Sequence, residues 1–448
     1  KITLEAANHF DACPNCGETN LDKYQRPEML KAPRAYRTNL SMGSDMKDDS
    51  EFLLSRPPIF AENVEDPNNP NVPVIVNNAE LLITDKDVTW RVNTNSDNFF
   101  TGSLANTQNI FPFSQPFRFT QQWIAQNVID NNQANPFSEN GYSYRIYPEG
   151  AQERIALASN KKTEIFRIAP VSVPLDLNLN MFSMDFEEPY VKAQANGVRS
   201  GYYSAAFLLQ RILADKLDVD PTEIEIADIV KRELVENSLI KRYVSEIILT
   251  DELPNGSGFV RFLYNKFSDL LAEAMNPTDA QSYLGKIHST HHQGNCKDAC
   301  YECLKVFRNM NYHSLLDWRL GLSMMRILND STYKCGADRI FNQHVELNGW
   351  LEFATSLRKG FAESFGMRTV DVVQGLPIIK WHARDKNVIL IVHPFWDMKN
   401  MREANWIAEI KNELGEYTRS RGGKLSIVDT FNLHRRPGWC YEKLVRNG

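Results

Sequence analysis

Three cysteines, Cys296, Cys300 and Cys303, stand at Cys-x3-Cys-x2-Cys spacing in the segment CKDACYEC. Zinc binds four tetrahedral ligands and prefers thiolate sulfur and imidazole nitrogen, and gaps of two or three residues let neighbouring cysteines reach one ion. Buried cysteines can simply fill a core, and a redox site would need one reactive pair beside a βαβ pattern, which is not the arrangement here. The segment therefore predicts a structural zinc site.

The fourth ligand is left open between a further cysteine and nearby histidines. We favour Cys335, which follows the next predicted helix. The alternatives are four histidines close to the cysteines: His288, His291, His292 and His313. A second pair, Cys13 and Cys16 in CPNCG, has the form of half a zinc ribbon without a second pair close behind it. We expect that pair either to bind metal or to be a remnant.

The elements around the cysteines are expected to be helical. Cys300 and Cys303 are three residues apart and are predicted to share one face of a helix start, where the helix N-terminus favours thiolate. Ser314 is predicted to cap the following helix, with Asp317 as the capping-box acid. SGYYSAAFLLQRILADKL places apolar residues on one helical face, and Asp220 is predicted to cap a short turn with Pro at its first position.

Candidate phosphate contacts lie near the end of the chain: Arg419, Arg421, Lys424, Arg435 and Arg436. Because the formal net charge is −6, any nucleic-acid contact has to be a local patch, and a solvated basic face is the competing interpretation. Trp439 could stack on unpaired bases, although core packing is favoured. The glycine turn in TDELPNGSGF could present backbone N–H groups to a phosphate, although a simple tight turn is favoured there, and His393 is interpreted as structural.

Length and pattern predict a mixed α+β fold in several parts. At 448 residues the chain is too long for one ordinary core. We predict a zinc-ribbon-like half and irregular strip over 1–60, a β-rich module over 61–195, a helical zinc-binding module over 196–345 and a small α/β unit over 346–448.

The sequence contains no phosphate-binding loop, nucleophile elbow or HExxH motif, so whether the chain is an enzyme stays uncertain and an accessory role is favoured. No apolar run is long enough for a transmembrane helix, and the start has no signal peptide. Seven cysteines, clustered and odd in number, fit a reducing cytoplasm with metal sites. The missing initiator Met suggests a processed chain or the tail of a longer one.

Four stretches together resemble a known family: SGYYSAAFLLQRILADKLDVDPTEIEI, TDELPNGSGFVRFL, CKDACYECLKVFRNMNYHSLLDWRLGL and YKCG. They are similar to the MrfA-type zinc-binding domain at the C-terminal end of superfamily-two DExH helicases, including chains of anti-phage systems such as DISARM and Druantia. The resemblance implies zinc on Cys296, Cys300 and Cys303. Many relatives have a fourth cysteine in the region where Asn309 and Asn311 stand here, which is why the fourth ligand remains open.

The resemblance also implies an ATP-driven motor, upstream in the same polypeptide or in a partner subunit. Our first hypothesis is therefore a helicase-associated, zinc-binding module of an anti-phage complex that supports DNA binding and remodelling. One alternative is a metal-dependent nuclease that uses His291, His292 and nearby acids. Another is a scaffold of the defence complex without DNA contact.

Overall fold

The computed structural model describes residues 28–31, 59–62, 72–85, 87–93, 100–104, 117–119, 153–182, 188–234, 241–367, 369–381 and 386–446. The fold is mixed α+β, as the sequence predicts. The strands are β1 Glu28–Lys31, β2 Ile59–Glu62, β3 Val74–Val76, β4 Ala79–Thr84, β5 Val88–Asn93, β6 Phe100–Leu104, β7 Phe117–Phe119, β8 Glu153–Lys162, β9 Ile165–Pro170, β10 Ile224–Ile226, β11 Val230–Glu233, β12 Tyr243–Asp251, β13 Thr369–Val373, β14 Leu376–Trp381, β15 Asn387–Val392 and β16 Leu425–Asp429.

The helices are α1 Pro189–Leu217, α2 Phe259–Asn265, α3 Phe267–Met275, α4 Tyr283–His288, α5 Thr290–Asn295, α6 Trp318–Asn329, α7 Trp350–Ser364, α8 Trp406–Ser420, α9 Thr430–Arg435 and α10 Pro437–Trp439. The 3₁₀ turns Pro221–Glu223 and Phe307–Tyr312 and the π-helical turn Cys440–Arg446 complete the helical segments that the structure describes. None of the described helices is long and apolar enough to cross a membrane.

The described residues form two compact units, of which the first comprises residues 28–31, 59–62, 88–93, 100–104, 117–119 and 153–162. Its described part is an antiparallel sheet in the order β2-β5-β8-β6-β7, with β1 paired to β8. The second unit comprises the described residues 72–85, 87, 163–182, 188–234, 241–367, 369–381 and 386–446. It contains an antiparallel sheet in the order β10-β12-β9-β4-β3, with β11 paired to β12. The four-part division that the sequence suggests stays a prediction.

Helix α1 is the central helix of the second unit. Its residues between Val191 and Ala214 are almost all buried, on every side of the helix rather than on one face. A helix that is buried all round needs neighbours on all sides, and α1 packs against α6, β12 and β16. The helical prediction for residues 200–217 is confirmed, and the helix begins eleven residues earlier, at Pro189.

Helix α6 crosses α1 closely because a glycine faces a serine at the contact. A Cβ added to Gly321 would lie 2.9 Å from both Ser204 Cβ and Leu208 Cδ1. The Ser204 hydroxyl accepts a hydrogen bond from the backbone N–H of Asp317, at 2.8 Å. Asp317 is itself the N-cap of α6 and accepts from the N–H groups of Arg319 and Leu320. Asp317, and not the predicted Ser314, is therefore the N-cap of this helix, which begins at Trp318.

The last hundred residues form a four-stranded sheet in the order β13-β14-β15-β16, of which β15 and β16 are parallel. Helix α8 connects these two parallel strands, and α7 packs on β14. Strand β16 ends at Asp429, because Asp429 caps α9 by accepting from the backbone N–H of Asn432 at 2.9 Å. Strands and helices therefore alternate in this segment, and its status as a separate unit stays a prediction.

Candidate metal centre

Two short helices, each capped by a serine, lead into the cysteine segment. Ser282 Oγ accepts from the N–H of Gly285 at the start of α4, and Ser289 Oγ accepts from the N–H of His292 at the start of α5. Helix α5 ends at Asn295, with Cys296 as its C-cap. His292 and Cys296 are four residues apart, which places them on the same side of one helical turn.

The other two cysteines lie in a tight turn and not at the start of a helix, which corrects the sequence expectation. The carbonyl of Cys300 accepts from the backbone N–H groups of Cys303, Leu304 and Lys305, at 3.2, 3.1 and 2.9 Å. The turn brings Cys303 Sγ within 3.1 Å of the N–H of Cys300, which donates to it. An N–H group aimed at sulfur stabilises thiolate in the way that a helix start would.

Four side chains converge at this place: His292, Cys296, Cys300 and Cys303, whose ligand atoms all lie within 4.8 Å of one another. Cys300 Sγ is 3.7 Å from Cys303 Sγ and 3.6 Å from His292 Nε2, and Cys296 Sγ is 3.9 Å from Cys303 Sγ. Three of the four residues are buried, and Cys300 is half-buried.

These separations fit a tetrahedral zinc ion. Zn–S bonds of about 2.3 Å and Zn–N bonds of about 2.0–2.1 Å at tetrahedral angles put sulfur atoms roughly 3.8 Å apart and nitrogen roughly 3.5 Å from sulfur. The observed sulfur–sulfur separations of 3.7 and 3.9 Å and the nitrogen–sulfur separation of 3.6 Å match both values. The set of three cysteines and one histidine is typical of closed, structural zinc sites.

The imidazole of His292 is held in the orientation that zinc ligation needs. Its Nδ1 lies 3.1 Å from the carbonyl oxygen of Ile287, so Nδ1–H donates there and Nε2 is left with its lone pair toward the sulfurs. The Trp318 ring packs on the imidazole with centroids 5.0 Å apart, and its Nε1–H donates to the carbonyl of Cys296. The first residue of α6 therefore fixes two ligands at once.

Charge around the cluster favours a cation inside it. The pKa of Cys303 is lowered to about 4, chiefly because the Cys296 thiol donates a hydrogen bond to its sulfur. That hydrogen bond and burial raise the pKa of Cys296, while burial and the negative charge of Cys303 raise the pKa of Cys300. One thiolate thus suppresses the ionisation of the others, and a divalent cation that replaces their protons would remove this conflict.

The structure places the favoured fourth ligand, Cys335, outside this group. Cys335 is fully buried near Glu346 and Tyr333, and its carbonyl accepts from Trp396 Nε1 at 2.9 Å. The alternative His292, which the sequence left open, takes the fourth position because the turn of α5 carries it toward the sulfurs.

The remaining histidine alternatives point elsewhere. His291 is exposed and contacts Asn295, and His313 Nε2 contacts the carbonyl of Val306 and Oδ1 of Asn309. Burial lowers the pKa of His288. The pair Cys13 and Cys16 lies outside the described residues, so its metal binding stays a prediction.

The predicted phosphate contacts fall into two groups. Arg419 and Arg421 are exposed at the end of α8, and Lys424 is half-buried with its pKa lowered by burial. Arg436 is buried, donates to Asn432 Oδ1 and lies over the Trp439 ring, at 3.8 Å from its centroid. That ring contact also places Trp439 against the protein's own arginine. Burial argues against a phosphate contact for Arg436.

Arg435 is likewise engaged inside the fold, in a role that the sequence did not suggest. Its Nε donates to the carbonyl of Ser314 at 2.9 Å and its Nη2 donates to the carbonyl of Leu316 at 2.8 Å. The guanidinium also lies 3.6 Å from Asp317 Oδ2 and 3.8 Å from Asp298 Oδ2. Asp298 stands between the first two cysteines, so α9 clamps both the zinc segment and the start of α6.

At two other candidate sites, the polar groups that could bind a ligand are already hydrogen-bonded within the chain. The carboxylate of Asp251 accepts from the backbone N–H groups of Ser257, Gly258 and Val260, at 2.6, 2.7 and 3.1 Å, where the sequence allowed a phosphate. His393 is fully buried, and its Nδ1 accepts from the N–H of Phe395. Burial lowers its pKa to about 3, which agrees with the structural interpretation.

The carboxyl ends of the parallel strands β15 and β16, where α/β units often bind ligands, are covered by α1. A Cβ on Gly197 would lie 2.5 Å from Pro394 Cβ, and a Cβ on Gly201 would lie 2.4 Å from Phe395 Cζ. The two glycines let the residues that follow β15 approach the helix backbone. That edge of the sheet is therefore packed against protein.

The geometry, the donor set and the oriented histidine define a protein with a closed zinc-binding site. Residues 205–304 match the family model described as MZB, the MrfA Zn-binding domain, and the matched range contains all four converging residues. This match confirms the resemblance to that zinc-binding domain. It covers less than a quarter of the chain, from within α1 to the residue after Cys303.

One solved structure to which the chain is similar is described as the crystal structure of the DUF1998 helicase MrfA bound to DNA. The sequence identity is 13%, the TM-score is 0.26, and the match covers 60% of this chain and 24% of that chain. The present chain thus spans about a quarter of that helicase's length. No curated protein matches the chain.

Proposed function

We propose that the chain is a zinc-stabilised accessory module of an ATP-driven helicase, with the motor upstream in the same polypeptide or in a partner subunit. The observation that carries this proposal is the four-ligand group inside the segment that matches the MrfA Zn-binding domain. In its most specific form, we propose that the chain belongs to a bacterial anti-phage complex of the DISARM or Druantia kind. In that complex it would help the motor to bind and remodel DNA.

A structural role for the zinc follows from the ligand set. A catalytic zinc site keeps one position open for water or substrate, whereas a structural site uses four protein ligands. Here four side chains already converge, and three of them are buried. The metal would hold α5, the cysteine turn and the start of α6 in fixed positions, and the chemistry of ATP hydrolysis would belong to the motor.

DNA contacts in this proposal come from the exposed cations of α8 and of the loop after it. Arg419 and Arg421 are separated by a single residue. The Arg421 guanidinium lies over the Tyr417 ring, at 4.0 Å from its centroid. Lys424 follows three residues later. Arginine and lysine near phosphates give affinity without sequence information, which suits a module that supports a motor on any DNA sequence.

The first test joins metal analysis with copurification. The purified chain should contain about one zinc, or about two if Cys13 and Cys16 complete a second site. Purification of the tagged protein from its native host should yield a helicase motor, either in the same polypeptide or as a copurifying subunit. A preparation without zinc, or one that brings down other subunits but no motor, would replace the helicase proposal by the scaffold alternative.

The second test measures DNA affinity as a function of salt. Real phosphate contacts make the logarithm of the association constant fall linearly with the logarithm of salt concentration. Arg419→Ala and Arg421→Ala should each reduce that slope by roughly 1. Arg446→Ala is the matched control, because Arg446 is exposed and pairs with Glu442 on another turn. Equal slopes in all four proteins would remove α8 from the DNA contact.

A further inference from the structure

The outer side of the zinc segment presents large apolar side chains to solvent. Tyr301 is 67% exposed, Phe307 is 78% exposed and Met310 is 52% exposed. Among the described residues, Phe307 has the highest exposure of any large hydrophobic side chain. We call the exposed surface of residues 297–310 the zinc-loop face.

The two aromatic residues belong to one surface. The Tyr301 ring packs edge-on against His313, with centroids 5.8 Å apart. His313 Nε2 in turn lies 3.0 Å from the carbonyl oxygen of Val306, the residue before Phe307. The imidazole thus links the cysteine turn, which carries Tyr301, to the 3₁₀ turn Phe307–Tyr312.

The backbone beneath these side chains is held by contacts on its inner side. Asn309 is buried, and its Oδ1 accepts from the N–H of Val306 while its Nδ2 donates to the carbonyl of Leu304, each at 2.9 Å. The Tyr312 ring packs on Tyr203 and Phe207 of α1, with centroids 5.2 and 5.0 Å apart. Phe307 and Tyr301 are therefore presented on a fixed support, which limits the entropy lost when a ligand binds them.

Positive charge surrounds the aromatic residues. Lys297 and Arg308 are exposed and Lys305 is half-buried, and Glu302 is the one exposed carboxylate between residues 297 and 310. Asp298 is engaged by Arg435. Arg308 lies close enough to Asp220 to lower the pKa of that carboxyl, after the hydrogen bonds from Thr222. The zinc-loop face thus carries net positive charge on a chain whose formal net charge is −6.

We infer that the zinc-loop face binds single-stranded nucleic acid, with bases stacked on Phe307 and Tyr301 and phosphates held by Lys297, Lys305 and Arg308. Protruding aromatic rings between cations suit unpaired bases, since every base has a π-face and only unpaired bases are free to stack. The core of a protein interface is instead depleted of lysine. This inference rests on the proposed DNA-supporting function and adds to it a second contact surface and a preference for single strands.

The test compares the affinity of the full chain for a labelled oligothymidylate and for a blunt duplex of equal length, by fluorescence anisotropy. Phe307→Ala and Tyr301→Ala should each weaken oligothymidylate binding by roughly 5- to 150-fold, the loss of one stacked base, and should change duplex binding much less. Phe307→Trp should retain affinity, and Phe307→Leu, which is apolar but cannot stack, should lose it. Leu253→Ala is the matched control, because Leu253 is also an exposed apolar side chain, 53% accessible.

Zinc content has to remain equal in all variants, since neither Phe307 nor Tyr301 is one of the four converging residues. Equal affinity of Phe307→Ala, Phe307→Leu and the unchanged chain for oligothymidylate would overturn the inference and leave the DNA-supporting function standing. Loss of a copurifying motor in Phe307→Ala with unchanged oligothymidylate affinity would assign the face to a protein partner instead. Absence of any DNA binding by the unchanged chain would overturn both the inference and the DNA part of the proposed function.

Discussion

His292 completes the cysteine group because of where one helical turn carries it. It stands four residues before Cys296, and its Nδ1–H is directed to the carbonyl of Ile287. The neighbouring His291, on the other side of the same turn, is exposed. A His-x3-Cys spacing across the end of a helix is therefore the sequence signal that separates these two histidines.

His292→Ala should lower zinc affinity by more than the about 10- to 100-fold that loss of an outer-shell partner causes, because a ligand atom itself is removed. Zinc release can be followed with a chromogenic chelator. His291→Ala and Cys335→Ser are the controls and should keep their zinc. Zinc loss in Cys335→Ser with normal retention in His292→Ala would restore Cys335 as the fourth ligand.

Burial of His393 makes the stability of the second unit depend on pH. Its ring lies among Trp350, Phe395 and Trp396 and is fully buried, and burial lowers its pKa from 6.5 to about 3. The unfolded chain takes up a proton at His393 below about pH 6.5, and the folded chain does so only near pH 3. The stability that neutral His393 provides is therefore complete above pH 6.5 and is lost as the pH falls toward 3.

Urea unfolding at pH 7.5 and pH 5 measures this effect. Within the window from pH 6.5 to pH 3, the free energy of unfolding should fall by up to about 1.4 kcal/mol per pH unit through this residue. His393→Asn keeps an acceptor for the Phe395 N–H and should show a smaller loss on acidification. His291→Asn, at an exposed position, should behave like the unchanged chain. Identical pH dependence in all three would place the acid sensitivity elsewhere.

Helices α1 and α6 depend on a small residue at their crossing, whereas α7 contains a glycine in open space. A Cβ at Gly321 would lie 2.9 Å from Ser204 Cβ and 3.0 Å from the Ser204 carbonyl carbon, so the helices would have to separate. A Cβ at Gly360 meets nothing within 4 Å. Both substitutions improve helix propensity, so the difference between them isolates the packing of α1 on α6.

Gly321→Ala should destabilise the protein by about 1–3 kcal/mol, the usual cost of overpacking. Gly360→Ala should stabilise it by up to about 1 kcal/mol, because alanine loses less conformational entropy than glycine in a helix. Denaturant midpoints at constant slope compare the two. A stabilising Gly321→Ala would show that the helices yield at this point without strain.

Zinc, helices and the C-terminal sheet are coupled through shared elements of the second unit. Trp318 contacts His292 at the start of α6, α6 packs along α1, and α1 packs on β16. Arg435 of α9 clamps Asp298 and the carbonyls before α6. Because metal binding and folding are coupled, removal of zinc should destabilise elements of the second unit that contain no metal ligand.

A strong chelator should lower the melting temperature and speed amide hydrogen exchange in α6 and in β15 as well as in the cysteine turn. Hydrogen exchange with and without chelator measures the reach of the effect. Readdition of zinc should reverse it. Faster exchange confined to residues 289–316 would instead show that the metal stabilises only the segment that binds it and that the rest of the fold is stable without zinc.

The sequence by itself determined the mixed α+β class, the zinc-binding character of Cys296, Cys300 and Cys303, and the local cap at Asp220. These features depend on short-range spacing, hydrogen bonds within a few residues and periodicity, all of which can be read along the chain. The identification of α1 as a buried helix was partly accessible, because apolar residues alone do not show how many faces are covered.

Only the tertiary structure shows that His292 lies beside the three cysteines, that Arg435 and Arg436 are engaged inside the fold, and that α1 covers the β15–β16 edge. Each depends on groups far apart in sequence, such as Arg435 and Ser314 or Gly201 and Phe395, whose contact no local pattern encodes. An arginine side chain can bind either a phosphate or a buried carbonyl, and the sequence alone does not show which of the two it contacts. The packing around it determines which of the two it meets.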